Sequence, residues 1–371
     1  MRPVLNEDER RIRPCTSYPF ESRSSARYEP SWPVMPVIKA FFMIEPYFMV
    51  ELILMESNFE LAKNSRIYIA GHRGLVGSAL WRYFAAQGFT NLLGHSSSEV
   101  DLRDQTSTSK AIGDAKPDVL IIAAAKVGGI VANSTYPVEF LNENLRIQTN
   151  LFEAAHANEV KKVLFLGSSC IYPKFAPQPI NEDSLLSGPL EQTNDAYAIA
   201  KIAGVMQVES YRREYKHHWI SAMPTNLYGP EDNFDLKTSH VLPALIRRFH
   251  EAKVGGAPSV MLWGSGTPLR EFLHTDDLAR AVLHLLNNYD DGAPINIGWG
   301  KDISIKDLAS LIADVVGYEG LIEWDNSKPD GTPRKLLDIT KIQSLGWQPQ
   351  IKLREGIKST YEWYLNNGEC S

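Results

Sequence analysis

The sequence predicts an α/β fold built on a doubly wound parallel sheet, followed by a smaller α/β C-terminal domain. From residue 66 onward, short β-branched or nearly continuously apolar segments alternate with longer segments of helical spacing. Such alternation is typical of parallel strands joined by right-handed helical crossovers. The first apolar segment also ends in a glycine-rich turn directly before a helix, and open parallel sheets bind ligands at such an edge.

The individual elements follow in chain order. Residues 66–70 form a β-branched strand, and residues 75–87 carry apolar side chains at helical spacing. The segment 118–123 is nearly continuously apolar, as expected for a parallel strand buried on both faces. The same reasoning predicts strands at 90–93, 162–166 and 219–223 and helices at 139–158 and 196–216.

Beyond Pro224 the pattern becomes coarser and indicates the second domain. The segment 328–334 contains two prolines and a glycine and is therefore a loop. The elements predicted in this part are helices at 241–253, 276–288, 304–316 and 354–365 and strands at 259–263 and 294–297.

We divide the chain into three regions. Residues 1–64 are rich in Pro, Arg and Ser, and we expect an N-terminal extension, disordered or loosely docked and dispensable for catalysis. Residues 65–235 form mainly a Rossmann-like dinucleotide-binding domain. Residues 236–371 form mainly a substrate-binding domain, with the ligand cleft between the two, and we expect the chain to cross back to the first domain. No run of 18 apolar residues is present, so we expect no spanning helix.

The composition excludes several classes of protein. Of the 371 residues, 44% are hydrophobic and 22% charged, which excludes a disordered, collagenous or disulfide-scaffold chain. With 38 basic and 44 acidic side chains, the formal charge is −6, so we expect no nucleic-acid or membrane partner. The cysteines Cys15, Cys170 and Cys370 lack the spacing of a metal site and indicate a reducing, cytoplasmic compartment.

The glycine-rich turn predicts a dinucleotide site. Gly71, Gly74 and Gly77 give the pattern G-x-x-G-x-x-G between the first strand and helix. Glycine permits a tight turn and lets a diphosphate approach the backbone, and the helix N-terminus supplies N–H donors. An ordinary structural turn is the alternative.

The end of the second strand indicates which dinucleotide binds. A site for NAD usually carries an acid there to hold the ribose 2′-hydroxyl. Here no acid occurs before Glu99, and Arg73 can meet a 2′-phosphate, so we expect NADP. Asp101 and Leu102 are placed to border an adenine, although Asp101 is equally consistent with a loop or cap residue.

Three further residues indicate hydride chemistry on a carbonyl. Tyr197 and Lys201 form Y-x-x-x-K, and on a helix they project from the same face. A neighbouring ammonium is expected to lower the tyrosine pKa and to hold the nicotinamide ribose. Ser168 follows a buried strand, where its hydroxyl can hydrogen-bond the carbonyl. These residues resemble the Ser–Tyr–Lys centre of the short-chain dehydrogenase/reductase superfamily.

Longer blocks narrow the resemblance to the GDP-L-fucose synthase family in the extended branch of that superfamily. The resemblance covers roughly residues 65–367 and omits the extension. The similar blocks are 70–77, 123–130, 166–174, 197–204, 223–230, 239–244, 263–272 and 328–335.

The resemblance implies an enzyme that converts GDP-4-keto-6-deoxy-D-mannose to GDP-L-fucose by 3,5-epimerisation and NADPH-dependent reduction at C4. It implies that Cys170 and His240 transfer the protons. Unperturbed, a thiol and an imidazole titrate at about 8.5 and 6.5, which suits both directions of transfer. Read alone, Cys170 is more often inert packing and His240 a cap or surface residue.

The resemblance also assigns the binding residues and a homodimer formed through long helices of the first domain. The cofactor residues are Gly71, His72, Arg73, Gly74, Leu75, Val76, Gly77, Asp101, Leu102, Leu166, Gly167, Ser168, Ser169, Tyr197, Lys201, Pro224, Thr225, Asn226, Leu227 and His240. The substrate residues are Arg248, Trp263, Arg270 and Asp330, of which Arg248 alone would be a solvated charge and Trp263 a core residue.

The chain departs from the family pattern at one place, and two alternative functions remain. The family often carries basic residues where this chain has His95, Ser96 and Ser97, which weakens the expected 2′-phosphate site. The first alternative is another nucleotide-sugar epimerase or dehydratase of the superfamily, but a dehydratase is expected to carry an acidic pair near the catalytic serine. The second is a dinucleotide-sensing binding protein, but such proteins tend to lose the Tyr–Lys pair.

Overall fold

The computed structural model describes residues 61–328 and 330–367. All of the described residues belong to one compact unit. The predictions for residues 1–60, including those on Cys15, and for Cys370 fall outside the described residues.

The described part of the chain contains twelve strands, ten α-helices and two short 3-10 helices. The strands are β1 (Ile67–Ala70), β2 (Leu92–Leu93), β3 (Val119–Ile122), β4 (Lys162–Leu166), β5 (Ile220–Pro224), β6 (Asn226–Tyr228), β7 (Ser259–Trp263), β8 (Leu269–His274), β9 (Ile295–Ile297), β10 (Asp302–Ser304), β11 (Leu321–Asp325) and β12 (Arg334–Lys335). The helices are α1 (Leu75–Ala86), α2 (Gln105–Ala115), α3 (Ile130–Thr135), α4 (Pro137–Ala157), α5 (Asp195–Tyr215), α6 (Val241–Val254), α7 (Thr275–Asn288), α8 (Ile305–Val316), α9 (Thr340–Ser344) and α10 (Leu353–Asn367).

The main sheet has six strands in the order β2-β1-β3-β4-β5-β9. All five neighbouring pairs are parallel, as the sequence predicts. The strand order reverses direction between β1 and β3, and in open sheets ligands bind outside the carboxyl ends of the strands at such a point. The residues of β1, β3 and β4 are buried, because helices cover both faces of the sheet.

Close packing fixes α5 against this sheet. Gly204 lies in the middle of α5, and a Cβ there would lie 2.3 Å from the ring of Phe165 on β4. Only glycine therefore lets the helix approach this closely. The approach sets the distance between the sheet and the side chains that α5 carries near its beginning.

The remaining strands form a smaller second lobe. Strand β8 pairs with β6, β10 and β12, and β7 pairs with β11. A second hydrophobic cluster forms the core of this lobe and includes Phe249, Leu262, Ile312 and Ile357. Because β9 belongs to the main sheet, the chain returns to that sheet after residue 235. The division at residue 235 remains a prediction.

Most predicted elements agree with the structure to within two residues. Helix α2 was not predicted, because its Ser- and Thr-rich sequence resembles a loop. Its start is fixed by the Asp104 carboxylate, which accepts a hydrogen bond from the Ser107 backbone N–H at 2.7 Å. Strand β8 was also not predicted, because its sequence mixes charged and apolar residues without a clear alternation. Among the described residues no helix is long and apolar enough to cross a membrane.

Candidate active site

Several predicted cofactor and catalytic residues lie at the carboxyl edge of the main sheet. Gly71 directly follows β1, Ser168 follows β4 after one glycine, and Thr225 follows β5. Asn226 donates its side-chain amide to the backbone oxygen of Glu271 on β8 at 2.7 Å. The second lobe is therefore attached directly beside this edge.

The glycine-rich turn is shaped by backbone contacts. Gly71 has a φ of +83°, which favours glycine, and a Cβ there would lie 2.8 Å from the backbone of Ala124. A Cβ on Gly77 would lie 2.0 Å from the Gly71 carbonyl oxygen. Helix α1 begins at Leu75 with no side-chain cap and no acid in its first turn. Its first N–H groups therefore face the edge without a partner from the helix.

Arg73 and His95 lie near Glu99, beyond the end of β2. The carboxylate of Glu99 accepts hydrogen bonds from the backbone N–H and hydroxyl of Ser96, both at 2.7 Å. These bonds, together with the nearby charges of Arg73 and His95, lower the pKa of Glu99. The His95 ring is hydrogen-bonded to the Tyr68 hydroxyl at 3.0 Å. Arg73 and His95 are exposed, so a phosphate can approach both.

Ser168, Tyr197 and Lys201 meet at the beginning of α5. The Ser168 hydroxyl is hydrogen-bonded to Tyr197, and the Ser168 oxygen also accepts from the Cys170 backbone N–H at 3.2 Å. The Lys201 ammonium is buried and donates to the Leu166 carbonyl oxygen at 2.9 Å. Tyr197 and Lys201 thus lie close together on α5, with Ser168 beside Tyr197, and their catalytic roles stay a prediction.

One expectation about this cluster is wrong. The sequence predicts that the lysine lowers the pKa of Tyr197, but burial, followed by the nearby Cys170, raises it. Burial also lowers the pKa of Lys201 to about 7, because a desolvated ammonium is unfavourable. The Lys201 nitrogen lies 5.9 Å from the centre of the Tyr197 ring. Tyr197 is therefore a protonated phenol at neutral pH, and so a proton donor.

Cys170 is held by two side chains to which the sequence alone assigns no role. Its Sγ accepts hydrogen bonds from the Asn194 amide and the Lys335 ammonium, each at 3.3 Å. Burial alone would raise the pKa of this thiol, but the Lys335 charge and the hydrogen bonds from Ser168, Lys335 and Asn194 outweigh burial and lower it. The inert-packing alternative for Cys170 does not explain these contacts.

His240 is the residue before α6, but its side chain makes no capping hydrogen bond. The residue is exposed to solvent, but protein groups around the imidazole desolvate the ring. This desolvation, followed by the positive charge of Lys335, lowers the pKa of His240. The preceding loop is fixed by Gly129, whose N–H donates to the Thr238 oxygen at 3.0 Å. A Cβ on Gly129 would lie 2.8 Å from the Ser239 oxygen.

Three of the four predicted substrate residues lie near the end of β7, and the fourth, Arg270, lies on β8. Arg248 donates to the Met261 oxygen at 3.4 Å, and Trp263 is 60% exposed, so it is not a core residue. The Asp330 carboxylate accepts from the Ser265 backbone N–H at 3.0 Å. The hydrogen bonds from Ser265, and then the charge of Arg270, lower the pKa of Asp330. An indole, a guanidinium group and a carboxylate thus lie near the end of β7, and the Arg270 guanidinium is close enough to interact with that carboxylate.

Sequence reasoning missed Asn194 and Lys335. The signal for Asn194 was its place three residues before Tyr197, at the beginning of the same helix. Lys335 belongs to a similar block, but it pairs with Arg270 only through the short strand β12. Because β12 was not predicted, its spatial partner could not be inferred.

Comparison with known proteins gives a consistent result. Residues 67–298 match the NAD dependent epimerase/dehydratase family. The chain is 56% identical over 319 residues to GDP-L-fucose synthase 1 of Arabidopsis thaliana, covering 86% of this chain and 99% of that protein. It is 52% identical over 311 residues to the GDP-L-fucose synthase of Escherichia coli (strain K12), covering 81% and 97%. A GDP-L-fucose synthetase from Naegleria fowleri with NADP bound superposes with a TM-score of 0.79 at 29% identity, covering 85% and 98%.

Proposed function

The chain belongs to the NAD dependent epimerase/dehydratase family and, within it, to the GDP-L-fucose synthases, and from this membership we propose that it converts GDP-4-keto-6-deoxy-D-mannose to GDP-L-fucose. It is an NADP-dependent epimerase and reductase. The observation that supports the proposal is the position of Cys170, which contacts Ser168 of the Ser168–Tyr197–Lys201 cluster through its backbone N–H and Lys335 through its sulfur, while the Lys335 charge also acts on His240. A reductase that does not epimerise its substrate needs only the Ser168–Tyr197–Lys201 cluster.

The residues present fit NADP(H). The turn is too tight for a side chain at Gly71 or Gly77, and the first N–H groups of α1 have no side-chain cap. A diphosphate can therefore lie against this helix N-terminus. Arg73 and His95 would face the 2′-phosphate. Lys201 would hold the nicotinamide ribose. When bound, NADPH supplies the hydride for the C4 ketone.

The chain's own groups perform the epimerisation. A ketone at C4 acidifies the protons on C3 and C5, so a base can remove each proton to give an enolate. Cys170 and His240 serve as base and acid in these transfers. Ser168 and Tyr197 donate hydrogen bonds to the oxygen on which the negative charge develops. After both inversions, Tyr197 protonates this oxygen as C4 is reduced.

The substrate nucleotide is bound in the second lobe. Arg248 and Arg270 suit a diphosphate, because a guanidinium donates two parallel, charge-assisted hydrogen bonds. Trp263 offers a flat exposed surface to the ligand. Asp330 can accept hydrogen bonds from the base or the sugar hydroxyls. The family membership supports these roles, as it supports those of the cofactor and catalytic residues.

We also propose a cytoplasmic homodimer. Ile199 and Met206 lie on α5 two turns apart and are 47% and 42% exposed, so the helix presents an apolar stripe that a second copy would cover. Cys170 is a free thiol, and its proposed role requires a reducing compartment. Light scattering of the wild type and of a variant with Ile199→Arg and Met206→Arg tests the dimer. A monomeric wild type would refute it.

The function is tested by incubating the protein with GDP-4-keto-6-deoxy-D-mannose and NADPH and identifying the sugar product. We expect NADPH oxidation with formation of GDP-L-fucose, and slower oxidation of NADH in parallel. Formation of an unepimerised 4-hydroxy sugar would support the reductase activity but would refute the proposed roles of Cys170 and His240 in epimerisation. Absence of oxidation with both cofactors would favour the binding-protein alternative.

A further inference from the structure

The ammonium of Lys335 faces the thiol of Cys170. Among the described residues, its only hydrogen-bond partner is Cys170 Sγ, at 3.3 Å, and no carboxylate lies within 4.0 Å of it. Lys174, in the same cleft, is instead paired with Glu191 at 2.9 Å. A half-buried cation without a carboxylate partner favours a negative charge on the group that it contacts.

The position of Lys335 is fixed by its backbone on both sides. Strand β12 pairs in parallel with β8. The next backbone N–H, of Leu336, donates to the Gln178 side chain at 2.9 Å. The N–H of Leu337 donates to the buried Glu271 carboxylate at 3.1 Å. These bonds fix the position of β12, and β12 in turn places the Lys335 ammonium beside the Cys170 sulfur.

We infer that Lys335 is a positioning residue that holds Cys170 as the thiolate, so that the thiolate rather than the thiol meets the substrate. The inference rests on the proposed function, in which Cys170 is a base. The thiolate takes a proton from a carbon beside the ketone, an S–H bond forms, and the C–H electron pair becomes the enolate. The negative charge thereby moves from sulfur to the oxygen beside Ser168 and Tyr197.

The other groups around Cys170 agree with this assignment. Arg270 on β8 is close enough to interact with the thiol charge. Tyr197 on α5 is neutral at the relevant pH. Asn194 donates an N–H bond to the sulfur, which also stabilises an anion. Desolvation, followed by the Lys335 charge, lowers the pKa of His240, so Lys335 acts on both groups proposed for proton transfer.

A competing role for Lys335 is direct contact with the substrate. In that case its removal would weaken substrate binding and leave the thiol of the free enzyme unchanged. The two roles are therefore separated by a measurement on the protein without substrate. That measurement also stands apart from the proposed function, because it needs neither turnover nor cofactor.

The experiment follows alkylation of Cys170 by iodoacetamide as a function of pH. Cys15 and Cys370 also carry thiols, so mass spectrometry of the Cys170 peptide provides the readout. We expect Lys335→Met to lower the alkylation rate at pH 7 about tenfold, because the thiolate is the reactive species. Lys335→Arg should restore most of the rate. Lys174→Met, which removes a paired cation from the same cleft, should leave the pH profile unchanged.

The outcomes that overturn the inference are equally defined. An unchanged pH profile in a folded Lys335→Met variant would refute the positioning role, and a raised KM with that profile would establish substrate contact instead. If this variant does not fold, the wild type still decides the question. The thiolate absorbance of Cys170 is obtained as the difference between the wild type and the Cys170→Ser variant. Its titration midpoint should lie below the ordinary thiol pKa of about 8.5, and a midpoint at or above that value would refute the inference. Failure to form GDP-L-fucose would refute the proposed function, but it would not bear on the pH profile of alkylation or on the titration of the thiolate absorbance.

Discussion

Asn194 donates its side-chain amide to Cys170 Sγ across 3.3 Å, three residues before Tyr197 on the chain. This hydrogen bond connects the thiol proposed for proton transfer with the helix that carries the reducing pair. The two chemistries act on one ketone and share Ser168 and Tyr197, but only epimerisation uses the thiol. Removal of the thiol is therefore expected to stop epimerisation without stopping reduction.

The first prediction concerns the thiol. Replacing Cys170 with serine should lower the rate of epimerisation by at least about 100-fold, because an alkoxide is not available at neutral pH and the base is lost. Reduction of the unepimerised ketone should continue. The measurement is incorporation of solvent deuterium at C3 and C5 of the product. GDP-L-fucose formed at the normal rate would contradict the assignment of the base.

The second prediction concerns the proton donor for reduction. Tyr197→Phe removes the hydroxyl and should lower the reduction rate by roughly 100-fold to 10,000-fold. NADPH binding should persist, since the glycine turn and Lys201 remain. Binding is followed by quenching of protein fluorescence and turnover by nicotinamide absorbance. Turnover close to that of the wild type would mean that another group delivers the proton.

The third prediction concerns the pH dependence of stability. The pKa of Lys201 is about 7 in the folded protein, against about 10.4 in an unfolded chain. Between these values the unfolded chain holds a proton that the folded protein has released. The free energy of unfolding of the cofactor-free protein should therefore rise with pH in this range, by up to about 1.4 kcal/mol per pH unit from this group.

Urea unfolding between pH 7.5 and 9 tests this dependence. Lys201→Met removes the titrating group, so the slope of stability against pH should be smaller in the variant than in the wild type. Other groups titrate equally in both proteins and cancel in the comparison. Equal slopes would show that Lys201 stays charged when buried.

The fourth prediction concerns the loop before His240. Gly129→Ala introduces a Cβ that would lie 2.8 Å from the Ser239 oxygen, so the loop must shift and move His240. We expect epimerisation to fall roughly 10-fold to 100-fold, since small displacements of reacting groups are costly. Gly113→Ala in α2, where the new Cβ would lie 3.4 Å from the Asn158 side chain, serves as the matched control. Equal effects on epimerisation in both variants would refute the positional explanation.

The sequence was sufficient for the parts of the fold that local patterns encode. Strand β4 has the predicted bounds, because a continuous apolar run between polar residues leaves little choice of ends. The Y-x-x-x-K pair was found because four residues make one helical turn. Helix α2 was missed because its stability comes from an Asp104 cap and from packing of Ile112, rather than from an apolar period.

The contacts around Cys170 were beyond sequence reasoning. Lys335 reaches the thiol through β12, a strand of two residues that has no recognisable pattern of its own. The pKa of Tyr197 was predicted in the wrong direction because spacing gives proximity to a cation but not the extent of desolvation. Burial can exceed the effect of a charge 5.9 Å away.

The contact between Cys170 and Lys335 joins positions 165 residues apart, whereas Ser168, Tyr197 and Lys201 lie within one short stretch of chain. A partial opening that releases the C-terminal strands would therefore separate the first pair while leaving the second cluster assembled on the main sheet. Such an opening requires less free energy than global unfolding. As the denaturant concentration rises, the epimerase activity should accordingly be lost before the reductase activity, so that one polypeptide carries two activities with different resistance to denaturation.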